Sequence, residues 1–203
     1  MSAPSIVLYG TKLSGHAHRV EAFLTLLGLP FQYREAPADV RQSAEFRALN
    51  PLGEIPVLVD GDLVLADSNA ILVYLARRYD PSGAWYPQDP AAAARVQRWL
   101  SIAAGEVRHG PAMARIITLF GKPGDLAAAQ TIAGRLLTFM DGYLADRTWL
   151  ADDRPTLADI ACYAYVARAP DGGISLAGYP HVLAWLERVE AIPGFPSMAK
   201  APG

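Results

Sequence analysis

The sequence predicts a small α/β sandwich in its first part and an all-helical domain in its second. Three observations carry that prediction. Short β-type runs alternate with helical patterns over the first 80 residues. The stretch DPSGAWYPQDP at residues 80–90, with three prolines and a glycine, then interrupts the pattern as a linker would. Beyond it the apolar residues recur almost only at helical spacing. The expected organisation is therefore residues 1–80, a linker at 81–90, and residues 91–203.

The elements follow in order. SIVLY reads as a buried strand. Val20, Phe23, Leu24 and Leu27 fall at i, i+3, i+4 and i+7, one face of a helix that Gly28 and Pro30 should stop. FQYRE is a second strand. SAEFRAL, residues 43–49, is a short helix ending at Asn50-Pro51. PVLV, a DGD turn and LVLA make a hairpin. Asp67-Ser68-Asn69 starts a helix whose body is AILVYLARRY. The order is β-α-β-α-β-β-α. In the second part, helical stripes run through Val96, Trp99, Leu100 and Ala103, through Leu136, Leu137, Met140 and Leu144, and through Val182, Leu186 and Val189. Thr156-Leu157-Ala158-Asp159 has the spacing of a capping box.

Bulk composition excludes several function classes. Net charge is −2 with no block of like charge, which argues against nucleic acid, because phosphate neutralisation needs clustered Lys and Arg. The longest apolar runs are too short for a bilayer, so no membrane role is expected. MSAPSIVLYG lacks the basic start and long apolar core of a signal peptide. A single cysteine, Cys162, excludes an intrachain disulfide and suits a reducing, cytoplasmic location. Cys162 lies in the apolar run DIACYAYVA and reads as a small buried hydrophobe. Four scattered histidines and one cysteine give no metal-site spacing, and no metal is expected. His16 and His18, two apart on a helix start, point to different faces and read as solvated.

Three places could carry chemistry. Ser14 stands where the first strand has ended and a helix begins. Its hydroxyl is either the N-cap or a donor to a bound anion. Pro56 opens the third strand. It is either a trans proline at an edge, or a cis one that exposes the backbone of Ile55 for pairing with an extended peptide. Asp67 and Ser68 head a helix, where they either cap it or form a site for a carboxylate and an α-ammonium group. A Ser-His-Asp hydrolase fits poorly, since there is no G-x-S-x-G.

Taken together, S-G-x-x-x-R-V, N-P-L-G-E-I-P-V-L, L-A-D-S-x-A-I-L-x-Y-L and T-L-A-D-I resemble the cytosolic glutathione S-transferases, from SIVLYG to the closing PHVLAWLERVEAIPGF. The resemblance implies a thioredoxin-like N-terminal domain, an all-α C-terminal domain, glutathione as co-substrate, a small hydrophobic electrophile as second substrate, and a homodimer. It puts Ser14 in the thiol-activating slot, where redox-active relatives keep cysteine. It assigns Ile55 to the cysteinyl backbone, expects Pro56 to be cis, and gives Asp67 and Ser68 the γ-glutamyl end. Most relatives have Glu where Asp67 stands, and Gln or Lys where Glu54 stands. The glycyl carboxylate then needs another cation, with Arg41 and Arg47 as candidates. Leu13, His109, Met113 and Arg115 are candidates for the electrophile pocket, and Tyr9 and Thr11 compete with Ser14 as activators. Thr156 and Asp159 resemble the family's folding cap. Glutathione-dependent isomerisation or peroxide reduction, a non-catalytic ligand carrier, and an interaction module are the rival readings.

Overall fold

A computed structural model describes residues 6–201 of the chain. Its first unit, the described residues up to Ser82 together with Pro193–Ala199, is built on a four-stranded sheet of order β2-β1-β3-β4. Strand β1 (Ile6–Gly10) runs parallel to β2 (Phe31–Glu35) and antiparallel to β3 (Val57–Asp60), which pairs antiparallel with β4 (Leu63–Ala66). Ser5, read as part of the first strand, lies outside the described residues. Ile6 and Leu8 are buried on one face, where α1 (Gly15–Leu26) packs with α4 (Ser68–Tyr79). Tyr9, one position out of phase, lies on the other face, edge-on to Phe46 of α3 (Ala44–Leu49) with ring centroids 5.9 Å apart. This mixed sheet with its helices is the thioredoxin-like arrangement. Tyr74 and Tyr79 both donate to Asp60 Oδ2, at 2.8 and 2.5 Å, and so tie α4 to the end of β3.

In this unit one helix escaped the sequence reading. Helix α2 (Ala38–Gln42) buries none of its five residues, so it leaves no apolar stripe in the sequence. The buried histidine is a correction. His18 is buried, with Nε2 2.7 Å from the Pro196 carbonyl oxygen and its ring edge-on to Phe195, so it is not part of a solvated helix start.

The second unit, Gly83–Ile192 with Lys200 and Ala201 among the described residues, is built from helices. It comprises α5 (Pro90–Ile102), α6 (Met113–Phe120), α7 (Leu126–Leu144), α8 (Leu157–Ala167), a 3₁₀ turn (Ala169–Gly172) and α9 (Pro180–Glu190). Asp89 caps α5, with Pro90 at the first helical position, where its missing N–H costs nothing. All three predicted stripes are buried. Between α5 and α6 the chain widens into a π-helical segment, Ala103–Ala112, which carries Pro111 without ending the helix. Gly110 lets that segment approach α7: a Cβ there would sit 2.9 Å from the Ala133 nitrogen. Among the described residues no helix is long and apolar enough to cross a membrane, and no cluster of His, Cys, Asp or Glu could hold a metal ion.

Candidate functional site

The approach to Ser14 is set by a glycine. A Cβ on Gly10 would lie 2.6 Å from Ala17 Cβ and 2.7 Å from the Tyr33 hydroxyl, so only glycine lets the end of β1 pass under the first turn of α1. The chain then turns, with the Ser14 N–H donating to Thr11 O at 2.9 Å. Ser14 is the N-cap: its backbone is extended and its Oγ accepts from Ala17 N at 3.2 Å. That bond uses a lone pair of the hydroxyl and leaves its hydrogen for another acceptor. The first turn of α1 holds no acidic residue, so nothing in that turn opposes the positive potential of the helix N-terminus. Lys12, in the same loop, pairs with Glu21 at 2.5 Å and lies 3.8 Å above the Tyr33 ring. Burial, reinforced by Glu21 and Glu35, pushes the Tyr33 phenol well above its usual range. Tyr9, the rival activator, accepts from Arg34 Nη1 at 2.9 Å on the face of the sheet opposite α1.

The Ile55–Pro56 bond is cis, and Pro56 stands just before β3. Among the described residues no hydrogen bond engages the backbone N–H or C=O of Ile55. The loop before it is organised by Asn50, which is buried: Nδ2 donates to Glu54 O at 2.9 Å and Oδ1 accepts from Leu52 N at 3.2 Å. Sequence reasoning missed Asn50. Its place in N-P-L-G was the available signal, because an Asn before a turn is the residue able to bond the backbone two positions on.

At the head of α4, Asp67 is the N-cap, its Oδ1 accepting from Asn69 N and Ala70 N, both at 2.9 Å. It alone among non-glycine described residues has a positive φ, 72°. Ser68 is buried, 4% exposed. Its Oγ accepts from Arg19 Nη1 at 3.2 Å and lies 3.3 Å from His16 Nδ1; Arg19 Nη1 also donates to Asn69 Oδ1 at 2.9 Å. So the structure brings α1 and the head of α4 together through His16, Arg19, Ser68 and Asn69. His16 is half-buried in that contact, another correction to the solvated reading. The signal was present: His16 and Arg19 are three apart on α1 and therefore share a face.

Comparison with known proteins bears on this geometry. A model of the glutathione S-transferase N-terminal domain matches residues 8–83, and one of the C-terminal domain matches residues 107–193. Glutathione S-transferase 3 of Zea mays is 37% identical, over 93% of this chain and 90% of its own length. The chain belongs to the glutathione S-transferase family. Glutathione S-transferase theta-1 of Bos taurus is 32% identical, over 92% of this chain and 83% of the relative. Among solved structures, a glutathione S-transferase from Pseudomonas fluorescens [Pf-5] gives a TM-score of 0.89 at 31% identity, covering 96% of this chain and 99% of that one. A theta-class enzyme of Xanthomonas axonopodis pv. citri, solved with glutathione bound, gives 0.86 at 29% identity, covering 98% and 99%.

The remaining candidates of this glutathione S-transferase chain are scattered. Arg41 and Arg47 flank the Gly53 turn: a Cβ on Gly53, whose φ is +65°, would lie 3.1 Å from Arg41 O and 3.8 Å from Arg47 Nη2. Arg47 is exposed and donates to Pro51 O at 3.2 Å, while Arg41 is half-buried. Leu13 is half-buried in the loop before Ser14. In the helical unit, His109 lines a cavity of about 480 Å³ with Ile102, Glu106, Arg135, Leu136 and Phe139. Met113 and Arg115 are not among the residues lining it. Arg115 is buried and pairs through Nε with Asp171 Oδ2 at 2.9 Å, a strut between α6 and the 3₁₀ turn.

Proposed function

We propose that this family member is a glutathione transferase in which Ser14 holds glutathione as its thiolate. The observation that carries the reading is the Ser14 N-cap, with one lone pair spent on Ala17 N and a hydroxyl hydrogen to spare at the mouth of α1. A thiol of pKa about 8.5 is only a few per cent ionised at neutral pH. Lowering that value by about two units takes ~2.7 kcal/mol of preferential thiolate stabilisation. A hydrogen bond to a charged group contributes ~1.5–3 kcal/mol and a helix terminus ~0.3–1 kcal/mol. The two together reach the requirement without a general base.

In this reading the Ile55 backbone pairs with the cysteinyl unit. Asp67 and Ser68 hold the γ-glutamyl end, and Arg41 or Arg47 meets the glycyl carboxylate. The thiolate sulfur forms a bond to the electrophilic carbon of a small hydrophobic substrate, whose leaving group departs with its electron pair. Serine in place of cysteine disfavours mixed-disulfide chemistry, and the only cysteine, Cys162, is buried in the helical unit. A reducing cytoplasm accords with the single buried thiol, and a homodimeric assembly is the state the family resemblance implies.

The test is conjugation of glutathione to a chlorodinitroarene. Ser14→Ala should lower the rate at least tenfold and raise the kinetic pKa of the bound thiol. An unchanged rate and pKa would remove Ser14 from the mechanism. A panel including a peroxide and an isomerisable substrate separates conjugation from the other glutathione-dependent reactions.

A further inference from the structure

We infer that His16 is a positioning residue that orients the Ser68 hydroxyl, turning its hydrogen toward the α-carboxylate of the glutathione γ-glutamyl group. The inference rests on the glutathione-binding reading above and adds a residue to it. It begins from the donor and acceptor capacity of one buried hydroxyl. Ser68 Oγ has one hydrogen and two lone pairs. Arg19 Nη1, 3.2 Å away, can only donate, so it occupies one lone pair in every state. His16 Nδ1, 3.3 Å away, takes one of two roles. If Nδ1 accepts, it consumes the hydroxyl hydrogen, and Ser68 offers a carboxylate nothing but lone pairs. If Nδ1 carries a hydrogen, it fills the second lone pair, and the Ser68 hydrogen turns outward to the ligand.

A carboxylate arriving at the head of α4, where the helix N-terminus already favours negative charge, selects the second arrangement. Arg19 lies on the same helix as His16 and holds both Ser68 Oγ and Asn69 Oδ1. The Asp67 carboxylate on α4 is committed through Oδ1 to the backbone N–H groups of Asn69 and Ala70. The hydroxyl is therefore gripped from two sides by α1, and its remaining direction is set by the imidazole.

The experiment compares His16→Ala with His16→Asn. The Asn amide nitrogen can place an N–H donor where Nδ1 stands and cannot accept a hydrogen bond there. By calorimetry with reduced glutathione, His16→Ala should weaken binding about tenfold and His16→Asn no more than about twofold. In steady-state kinetics the loss should fall on KM for glutathione rather than on kcat. In a Ser68→Ala background, His16→Ala should add little, because the two residues act as one unit. An analogue with 4-aminobutyryl in place of γ-glutamyl, which lacks the α-carboxylate, should bind wild type and His16→Ala equally. Equal losses in the Ala and Asn variants, or additive losses with Ser68→Ala, would reduce His16 to packing and overturn the inference. So would wild-type affinity in His16→Ala. If Ser68→Ala weakens binding while His16→Ala does not, this inference fails alone. If wild-type protein binds no glutathione, the functional reading fails with it.

Discussion

Ser14 caps α1, and the proposed chemistry would draw on the same hydroxyl. Capping and thiol activation looked like alternatives in the sequence, but they use different parts of the group, a lone pair for Ala17 N and the hydrogen for a ligand. The two uses can be separated by mutation. Ser14→Ala should lose both, costing about 1 kcal/mol of stability for the cap as well as the conjugation rate. Ser14→Asp keeps a cap acceptor but puts a negative charge beside the sulfur. It should unfold at a denaturant midpoint close to wild type and yet conjugate more slowly than Ser14→Ala. Asp67 invites a parallel test, because it is a cap with a positive φ of 72°. Asp67→Asn keeps a cap acceptor in a residue that tolerates positive φ, whereas Asp67→Ala loses the cap and has no such tolerance. Urea denaturation should show Asp67→Ala less stable than Asp67→Asn by about 1 kcal/mol.

At the scale of elements, α8 and the π-helical segment carry the sharpest predictions. The capping box is present: Thr156 Oγ1 accepts from Ala158 N, and Asp159 Oδ2 accepts from Thr156 N at 2.9 Å. Asp159 does more than cap, since its Oδ1 also accepts from Trp185 Nε1 of α9 at 2.9 Å and from Leu150 N at 3.1 Å. Burial raises the pKa of this carboxyl, against the pull of those donors. A value raised on folding means that the native state holds the proton more tightly than the unfolded chain. The resulting stabilisation is complete below the ordinary carboxyl value of about 3.9 and is lost as pH rises through the folded value. Stability of wild type measured against Asp159→Asn, which does not titrate there, should therefore fall as pH is raised from that ordinary value towards neutrality. The π-helical segment offers a steric test. Gly110→Ala would push a methyl group to within 3 Å of the Ala133 backbone, too close for either element to stay in place. It should cost about 1–3 kcal/mol in a chemical denaturation curve.

For the whole molecule, the family reading predicts a homodimer, so light scattering should give twice the chain mass of 21.8 kDa; a monomeric mass would remove that part of the proposal. What the sequence determined unaided was the pattern: the β-α-β-α-β-β-α order, short only of α2, all three buried stripes of the helical unit and the α8 cap, each written in residues a few positions apart. Spacing on a helix or strand dictates which residues share a face, and the residues that share a face are the ones buried. Helix α2 stayed invisible because it buries nothing, and the π-helical segment because Pro111 within a helical pattern reads as a break. The tertiary structure alone decided the meeting of His16 and Arg19 with Ser68, about 50 residues further along the chain, and the burial of Arg115 against Asp171. Contacts of that kind depend on which faces of two elements meet after the sheet has closed, and no local periodicity encodes that. Only the assembled fold reveals that a histidine near the start of one helix touches the hydroxyl at the head of another.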